Sequence, residues 1–368
     1  YGNGGIPLPE SNALSRIDDL KENSLFINGE EDGVFNENDY ILFYANGPDS
    51  QTYSEGNEDF SYTKNPYSQK SYYFIKIDNT PGLRVLKNNF IESGNYVSTY
   101  GLSSIHHEKE LYNLLDLDEC NHGSGQKWYG EDLGNSRSLD LNSIFYFPGL
   151  DQSRKTKLKA LFASRSNRTS TLNINVDGET VSKSLSTIGY SCTSNFAANN
   201  YIFSDLSLKN ELPKIKISFP DNGSSSDGWL DWIQLTAWRK YDYLGKPIYV
   251  FDPESKQQSL STYKIANPVS NLFCWDISSA LNPIEIPYKV NSGNLEFTDE
   301  SFGKLSEYLV FDPTAVYPAP EFIGSVENQN LHGLENYDFA IIYYKDFKNE
   351  AERLLQHRQR HTNIKGVI

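Results

Sequence analysis

Short apolar segments recur at near-regular intervals between Ser138 and Tyr243, and this repeat constrains the fold more than any other feature of the sequence. Within each segment apolar and polar residues alternate, as expected for strands that turn one face towards a core. Gly, Asn, Asp and Ser separate the segments and indicate turns. The pattern predicts an antiparallel β-sandwich, jelly-roll-like in character. The segments are Leu139–Phe147, Lys157–Ser164, Thr171–Val176, Tyr201–Phe203, Lys214–Phe219 and Trp229–Trp238.

Further predicted elements lie on both sides of this region. Ile41–Tyr44 and Ser71–Ile77 are β-branched and aromatic, which predicts strands near the N-terminus. Residues 102–118 predict a helix, because a histidine and three leucines fall near one helical face. More β structure is expected after the sandwich, at Pro247–Phe251, Leu272–Asp276 and Tyr308–Phe311.

The C-terminal residues have a different character. Tyr337–Tyr344 is almost continuously apolar, which suits a strand covered on both faces. An amphipathic helix is predicted from Phe347 to His361, followed by a strand at Ile364–Ile368. One βαβ unit cannot cover both faces of a parallel sheet, so we expect more α/β structure beyond Ile368. The chain also has no Met, and we expect it to be a processed form or a segment of a longer protein.

The predicted fold class is therefore mainly β, in four parts. Residues 1–136 form an N-terminal β-rich domain with an acidic Gly loop, and residues 137–245 form the sandwich. Residues 246–334 form a further β region that leads to residues 335–368, the start of an incomplete α/β domain.

Charge and hydropathy exclude some classes of partner. The 48 acidic and 33 basic residues give a net charge of −15, which opposes binding to nucleic acid. The sequence contains no apolar run of about 18 residues, the length that would predict a transmembrane helix. The tryptophans Trp229, Trp232 and Trp238 are expected to pack in the protein rather than to form a ligand platform.

The acidic loop from Asn28 to Asp39 has the spacing of a twelve-residue calcium loop with glycine at its sixth position. The alternative is an ordinary acidic turn, because the first position is Asn and the twelfth is Asp instead of Glu. If calcium binds, the ligands are Asn28, Glu30, Asp32, the Val34 carbonyl, Asn36 and Asp39.

The three cysteines have neither metal-ligand spacing nor a disulfide framework. Cys120 lies two residues before His122, so a Cys–His pair is conceivable, but no oxyanion-hole loop accompanies it. Cys192 and Cys274 have no histidine nearby in sequence. We predict that none of the three is catalytic.

Five motifs follow one another along the chain: Tyr1–Gly5 with Leu8–Glu10, Asp32–Phe35 with Asp39–Tyr44, Ser124–Glu131, Gly228–Ile233 and Val326–Leu334. The sequence Asn-Gln-Asn-Leu-His-Gly-Leu within the last motif is the most specific. These motifs and their order resemble those of the type IX secretion sortases in the gingipain family of cysteine peptidases. Gln126 stands where members of that family often have Arg.

The resemblance implies β-rich domains followed by a caspase-like α/β peptidase domain. It places the catalytic Cys and His beyond Ile368, so no catalytic residue is assigned here. It further implies removal of a C-terminal sorting signal from secreted cargo and transfer of the cargo to a lipopolysaccharide-type acceptor. This would take place on the extracellular face of a Gram-negative outer membrane, beside a β-barrel partner of the PorV type. The alternative is a non-enzymatic surface module that binds glycan or protein through its β-sandwich.

Overall fold

The computed structural model describes residues 1–5, 8–9, 11–114, 127–191, 194–220, 225–326 and 330–368. The chain divides into two compact units, Tyr1–Ala315 and Val316–Ile368. The four-part division predicted from the sequence stays a prediction.

The described residues are rich in strands and poor in helix. The strands are β1 (Phe26–Asn28), β2 (Tyr40–Leu42), β3 (Ser50–Ser54), β4 (Asp59–Thr63), β5 (Leu86–Lys87), β6 (Tyr96–Ser98), β7 (Tyr100–Glu108), β8 (Tyr112–Asn113), β9 (Trp128–Tyr129), β10 (Ser138–Asp140), β11 (Thr156–Arg165), β12 (Ser170–Val176), β13 (Glu179–Leu185), β14 (Ala198–Leu206), β15 (Ile215–Ser218), β16 (Asp227–Lys240), β17 (Ile248–Val250), β18 (Leu260–Ala266), β19 (Phe273–Asp276), β20 (Ile284–Glu285), β21 (Tyr288–Asn291), β22 (Asn294–Glu300), β23 (Tyr308–Phe311), β24 (Phe339–Ala340) and β25 (Gly366–Val367). The helices are α1 (Leu133–Ser136) and α2 (Lys348–Thr362), with short 3-10 turns at Glu30–Asp32, Pro253–Gln257 and Lys345–Phe347.

The predicted mainly β fold is confirmed, and a β-sandwich lies at its centre. One sheet has the strand order β10-β15-β12-β13 and the other has the order β14-β11-β16-β7, with antiparallel pairing throughout. The inward side chains of both sheets share one apolar core. Alternation along β11 shows the cause, because Leu158, Ala160 and Phe162 are buried in that core while Lys157 and Lys159 belong to the opposite face.

Two sequence predictions in the N-terminal part are wrong. Residues 102–118 do not form a helix, because residues 100–108 form strand β7, which pairs with Trp232–Lys240 of β16. Pairing with a long strand outweighs the weak helical periodicity. Ser71–Ile77 forms no strand. Phe74 and Tyr1, 73 residues apart, exchange backbone hydrogen bonds, and Ile75 and Ile77 are exposed. Residues 115–118 of the predicted helix lie outside the described residues.

A second pair of sheets lies within Tyr1–Ala315. Their strand orders are β17-β23-β19-β20-β5 and β21-β22-β18-β6, with a core that includes Tyr263, Phe297 and Tyr308. The outer strands β5 and β6 pair in parallel with β20 and β18. Residues 86–108 therefore supply one strand to each of three sheets.

The unit Val316–Ile368 contains the predicted βαβ arrangement. Strands β24 and β25 are parallel, and α2 connects them. Both strands are shorter than predicted. None of the described helices is both long and apolar enough to span a bilayer.

Candidate functional site

The outer face of the sheet β14-β11-β16-β7, opposite the sandwich core, carries the most prominent site among the described residues. Cross-strand register arranges its side chains in rows. One row places Tyr201 of β14 and Trp232 of β16 on either side of Leu161, with Glu108 of β7 beyond Trp232. The next row contains Phe203, Lys159, Gln234 and His106.

The hairpin β3–β4 packs over part of this face. The Lys159 ammonium donates to the Phe60 carbonyl at 2.6 Å and pairs with the Asp59 carboxylate at 2.9 Å. The Gln234 amide donates to the same carbonyl at 2.9 Å. The Tyr62 ring stacks on the His106 ring with 3.8 Å between centroids. These buried polar contacts fix the hairpin on the sheet.

Between the hairpin and the uncovered part of the sheet lies a groove of about 1570 Å³. We call it the aromatic groove, because rings are prominent along its walls and several are open to solvent. Trp128 is 44% exposed, Tyr201 is 52% exposed and Phe203 is 67% exposed. The aromatic residues that line the groove are Phe60, Tyr62, Tyr67, Trp128, Tyr201, Phe203 and Trp232, with His106 beside them.

Two of the motifs noted in the sequence meet at this groove. The Lys127 ammonium, from the described end of Ser124–Glu131, pairs with the Asp231 carboxylate of Gly228–Ile233 at 2.7 Å. The amide of Gly130 donates to the Leu230 carbonyl at 2.7 Å, and a Cβ at Gly130 would lie 2.9 Å from that oxygen. Glycine is therefore required for the two segments to approach this closely. Residues 124–126, including Gln126, lie outside the described residues.

Charged groups in the groove are largely paired with one another. Lys64 faces Glu110 at 3.7 Å, and Lys127 and Lys159 pair with carboxylates as described. Burial raises the pKa of Glu110 to about 7, and the hydrogen bond to Glu108 adds to the rise because the two carboxyls share a proton. Burial also raises the pKa of Asp231, although Lys127 opposes the shift.

A second charged cluster lies on β7, outside the groove lining. The Glu131 carboxylate accepts from His107 at 2.9 Å and pairs with the Lys109 ammonium at 3.0 Å. Burial alone would raise the pKa of Glu131, but these hydrogen bonds outweigh it and lower the pKa to about 2. The motif residue Glu131 thus anchors β7 to the segment that follows β9.

The acidic loop from Asn28 to Asp39 connects β1 and β2 in an antiparallel hairpin. Its carboxylates already have protein partners: Glu30 pairs with Arg84 at 2.8 Å, Asp32 accepts from the Val34 amide, and Asp39 accepts from the Asn36 amide. Within the described part of the chain, no group of three or more His, Cys, Asp or Glu is placed to hold a metal ion. Calcium binding would have to displace some of these contacts, and the site stays a prediction.

Cys274 is the free cysteine among the described residues, and it is buried in β19. Burial raises the pKa of its thiol well above the usual value, which opposes formation of a nucleophilic thiolate. Cys120, His122 and Cys192 lie outside the described residues.

The tryptophans of β16 do not share one environment. Trp229 is buried beside Phe196, whereas Trp232 and Trp238 are half-buried. Trp238 lies under the Arg154 guanidinium at 4.0 Å, and Trp232 lines the aromatic groove.

Trp128, Tyr201 and Phe203 were not predicted from the sequence as site residues. The available signal was alternation in β14, where Tyr201 and Phe203 flank the core residue Ile202.

The fold and the groove define a class of protein: a mainly β chain with several small sheets, followed by a short parallel βαβ segment. Within that class the chain is similar to dimeric latent PorU from Porphyromonas gingivalis, with a TM-score of 0.80 and 20% identity over 100% of this chain. The predicted resemblance is confirmed at the level of the fold. The chain spans 34% of the length of that structure.

Other solved structures match only in part. The match to the Cry8Ea1 δ-endotoxin from Bacillus thuringiensis covers 27% of this chain and 17% of the toxin chain, at 16% identity and a TM-score of 0.21. The match to the carbohydrate-binding module CBM36, solved with calcium and xylotriose, covers 27% of this chain and 70% of the module, at 16% identity and a TM-score of 0.18. Such low scores do not establish a common fold. No protein-family model and no curated protein matches the chain.

Proposed function

We propose that this chain is the non-catalytic part of a PorU-like cysteine peptidase that acts as a sortase in type IX secretion. The observation that carries the proposal is the likeness in fold over the whole chain, at a TM-score of 0.80. Two motifs of the sequence resemblance add support, because their residues pair across the wall of one groove.

Under this proposal the parent protein removes the C-terminal sorting signal of secreted cargo and transfers the cargo to a lipopolysaccharide-type acceptor. It works on the extracellular face of the outer membrane, beside a β-barrel partner of the PorV type. Its nucleophilic Cys and its His base belong to a caspase-like domain outside residues 1–368. Cys274 is unsuited to the role, because a buried thiol with a raised pKa is a poor nucleophile.

The proposal is tested by comparing the 368-residue chain with the full product of its gene. The substrate is a cargo protein that carries a C-terminal sorting signal, and mass spectrometry detects its cleavage. The full product should cleave the signal and lose this activity on treatment with iodoacetamide. The 368-residue chain should not cleave it, and Cys274→Ala in the full product should leave activity unchanged. Thiol-dependent cleavage by the 368-residue chain alone would overturn the proposal.

A second candidate is a non-enzymatic surface module that binds glycan or protein. The exposed rings of the aromatic groove favour it, because unsatisfied aromatic faces in a concave site are typical of binding sites. The same experiment separates the candidates, since a non-enzymatic module would leave signal-bearing cargo intact even as the full product.

A further inference from the structure

The aromatic groove combines exposed ring faces with paired charges, and this combination restricts what it can bind. Tyr201 and Phe203 have nearly parallel rings, 5° apart, with 6.3 Å between their centroids. Both lie on the outer face of β14 and are more than half exposed, so they present apolar ring surface at one wall of the groove. Trp128 and Trp232 add further ring surface to the walls.

Polar groups line the groove between these rings. The carboxylate–lysine pairs Asp231–Lys127 and Glu110–Lys64 present acceptors and donors next to each other. The Asp231 carboxylate is only 3% exposed. The side chains of Lys127, Lys64 and Glu110 are 37%, 31% and 26% exposed, so they can still form hydrogen bonds with a ligand. Gln234 and Asp205 also line the groove. Such an arrangement suits a ligand whose hydroxyls donate and accept at neighbouring positions.

The charge balance of the groove disfavours an anionic ligand. Five carboxylates and four lysines are among its described lining residues: Asp59, Glu108, Glu110, Asp205 and Asp231, with Lys64, Lys127, Lys157 and Lys159. Three of those lysines are already within 4 Å of a lining carboxylate. A single-stranded nucleic acid would use the rings for stacking but would need a positive groove for its phosphates.

A protein segment fits the groove less well than a sugar. Extended peptides usually add to the edge of a sheet through backbone hydrogen bonds, whereas the floor of this groove is the face of a sheet. The centre of a protein interface is depleted of charged residues, whereas paired charges lie between the rings here.

We propose that the aromatic groove binds a neutral oligosaccharide. The C–H faces of the sugar stack on Trp128, Tyr201 and Phe203, and its hydroxyls bond to the accessible groups of Lys64, Lys127 and Glu110. Aromatic rings pack well against apolar faces, and the polar pairs give the ligand its orientation. A volume of about 1570 Å³ exceeds that of an ordinary small-molecule pocket, so several linked sugar units fit better than one. This inference rests on the second candidate function, glycan binding, and names the class of sugar. Sugar binding by this chain requires no peptidase activity, so the titration and the cargo-cleavage experiment fail independently.

The test uses the 368-residue chain and follows tryptophan fluorescence during titration with maltohexaose, cellohexaose, xylohexaose and mannohexaose. Titration calorimetry confirms each hit. At least one of these neutral sugars should bind with a Kd below about 1 mM. Trp128→Ala and the double variant Tyr201→Ala/Phe203→Ala should each weaken that binding about tenfold, the scale of one lost ring contact.

Tyr146→Ala is the matched control, because Tyr146 is also exposed but does not line the groove. This control should bind sugar as tightly as the unaltered chain does. All variants should have the melting temperature of the unaltered chain. Absence of binding to every neutral sugar up to about 10 mM would overturn the proposal. So would equal binding of hexagalacturonate, or unchanged affinity in both groove variants.

Discussion

Two glutamates near strand β7 carry pKa shifts of opposite sign. Glu110, in the aromatic groove, has its pKa raised to about 7 by burial and by its hydrogen bond to Glu108. Glu131 has its pKa lowered to about 2, because hydrogen bonds from His107 and Lys109 outweigh its burial. Protonation therefore stabilises the folded state at the first residue and destabilises it at the second.

The Glu110 shift predicts a loss of stability as the pH rises. Since its folded pKa lies above the ordinary value of 4.5, the stability gained by protonation is complete below about pH 4.5 and is lost as the pH passes 7. Glu110→Gln keeps a hydrogen-bond donor for Glu108 but cannot ionise. As the pH rises from 5 to 8, the unaltered chain should lose about 1–2 kcal/mol in free energy of unfolding that the variant keeps, since solvent screening reduces the full effect of the shift. Urea unfolding at both pH values checks this, and parallel pH profiles would contradict it.

Glu131→Gln should behave in the opposite way. Its folded pKa is depressed, so the stabilisation is present above about pH 4.5 and is lost as the pH falls towards 2. The variant should be less stable by roughly 2–3 kcal/mol at pH 7. The difference should shrink in acid, as measured by unfolding at pH 7 and pH 3. A variant as stable as the unaltered chain at pH 7 would show that the His107 and Lys109 contacts add nothing.

For the acidic loop we propose calcium as its ligand. A chelator should then lower the melting temperature of the chain, because an ion that binds only the folded form stabilises it by mass action. Asp32→Ala should abolish the difference. If the chelator leaves the melting temperature of the unaltered chain unchanged, the loop is an ordinary acidic turn, held by contacts such as Glu30–Arg84.

At the scale of elements, the hairpin β3–β4 creates the groove by covering one end of the sheet. Its docking depends on Lys159, which reaches from β11 to Asp59 and to the Phe60 carbonyl. Asp59 is almost completely buried, so removing its partner leaves an uncompensated charge in the interior.

Lys159→Met should therefore destabilise the chain by about 3–5 kcal/mol, the usual cost of breaking a buried ion pair. Lys157→Met is the matched control on the same face of β11. Its ammonium donates to the exposed Asn57 carbonyl at 2.6 Å and lies 4.0 Å from the exposed Glu58, so the expected cost is about 1 kcal/mol or less. Urea unfolding of both variants makes the comparison. Equal losses would contradict the assigned role of Lys159.

Sequence patterns predicted elements well where alternation and burial agree. Lys157–Ser164 and Trp229–Trp238 became the central strands β11 and β16, and the predicted helix from Phe347 to His361 nearly coincides with α2. Strand β7 was missed because its stability comes from pairing with β16, more than 120 positions away in register. The groove could not be predicted, because the hairpin contacts Lys159 and Gln234 across about 100 to 174 residues of chain, and no local pattern records that distance.

At the scale of the whole molecule, the chain keeps a PorU-like fold at only 20% identity. Residues 86–108 help to explain how one fold holds its sheets together, because they supply β5, β6 and β7 to three different sheets of Tyr1–Ala315. The motif residues that carry the sequence resemblance have structural roles in the same unit: Gly130 permits close approach, and Lys127 pairs with Asp231.

We propose that the chain is the non-catalytic region of a protein that removes sorting signals from type IX cargo. The most direct measurement is mass spectrometry of secreted cargo from cells in which the gene has been deleted. We predict that the cargo retains its C-terminal signal in the deletion strain and loses it again when the intact gene is restored. Normal processing of the cargo in the deletion strain would show that this protein does not remove the sorting signal.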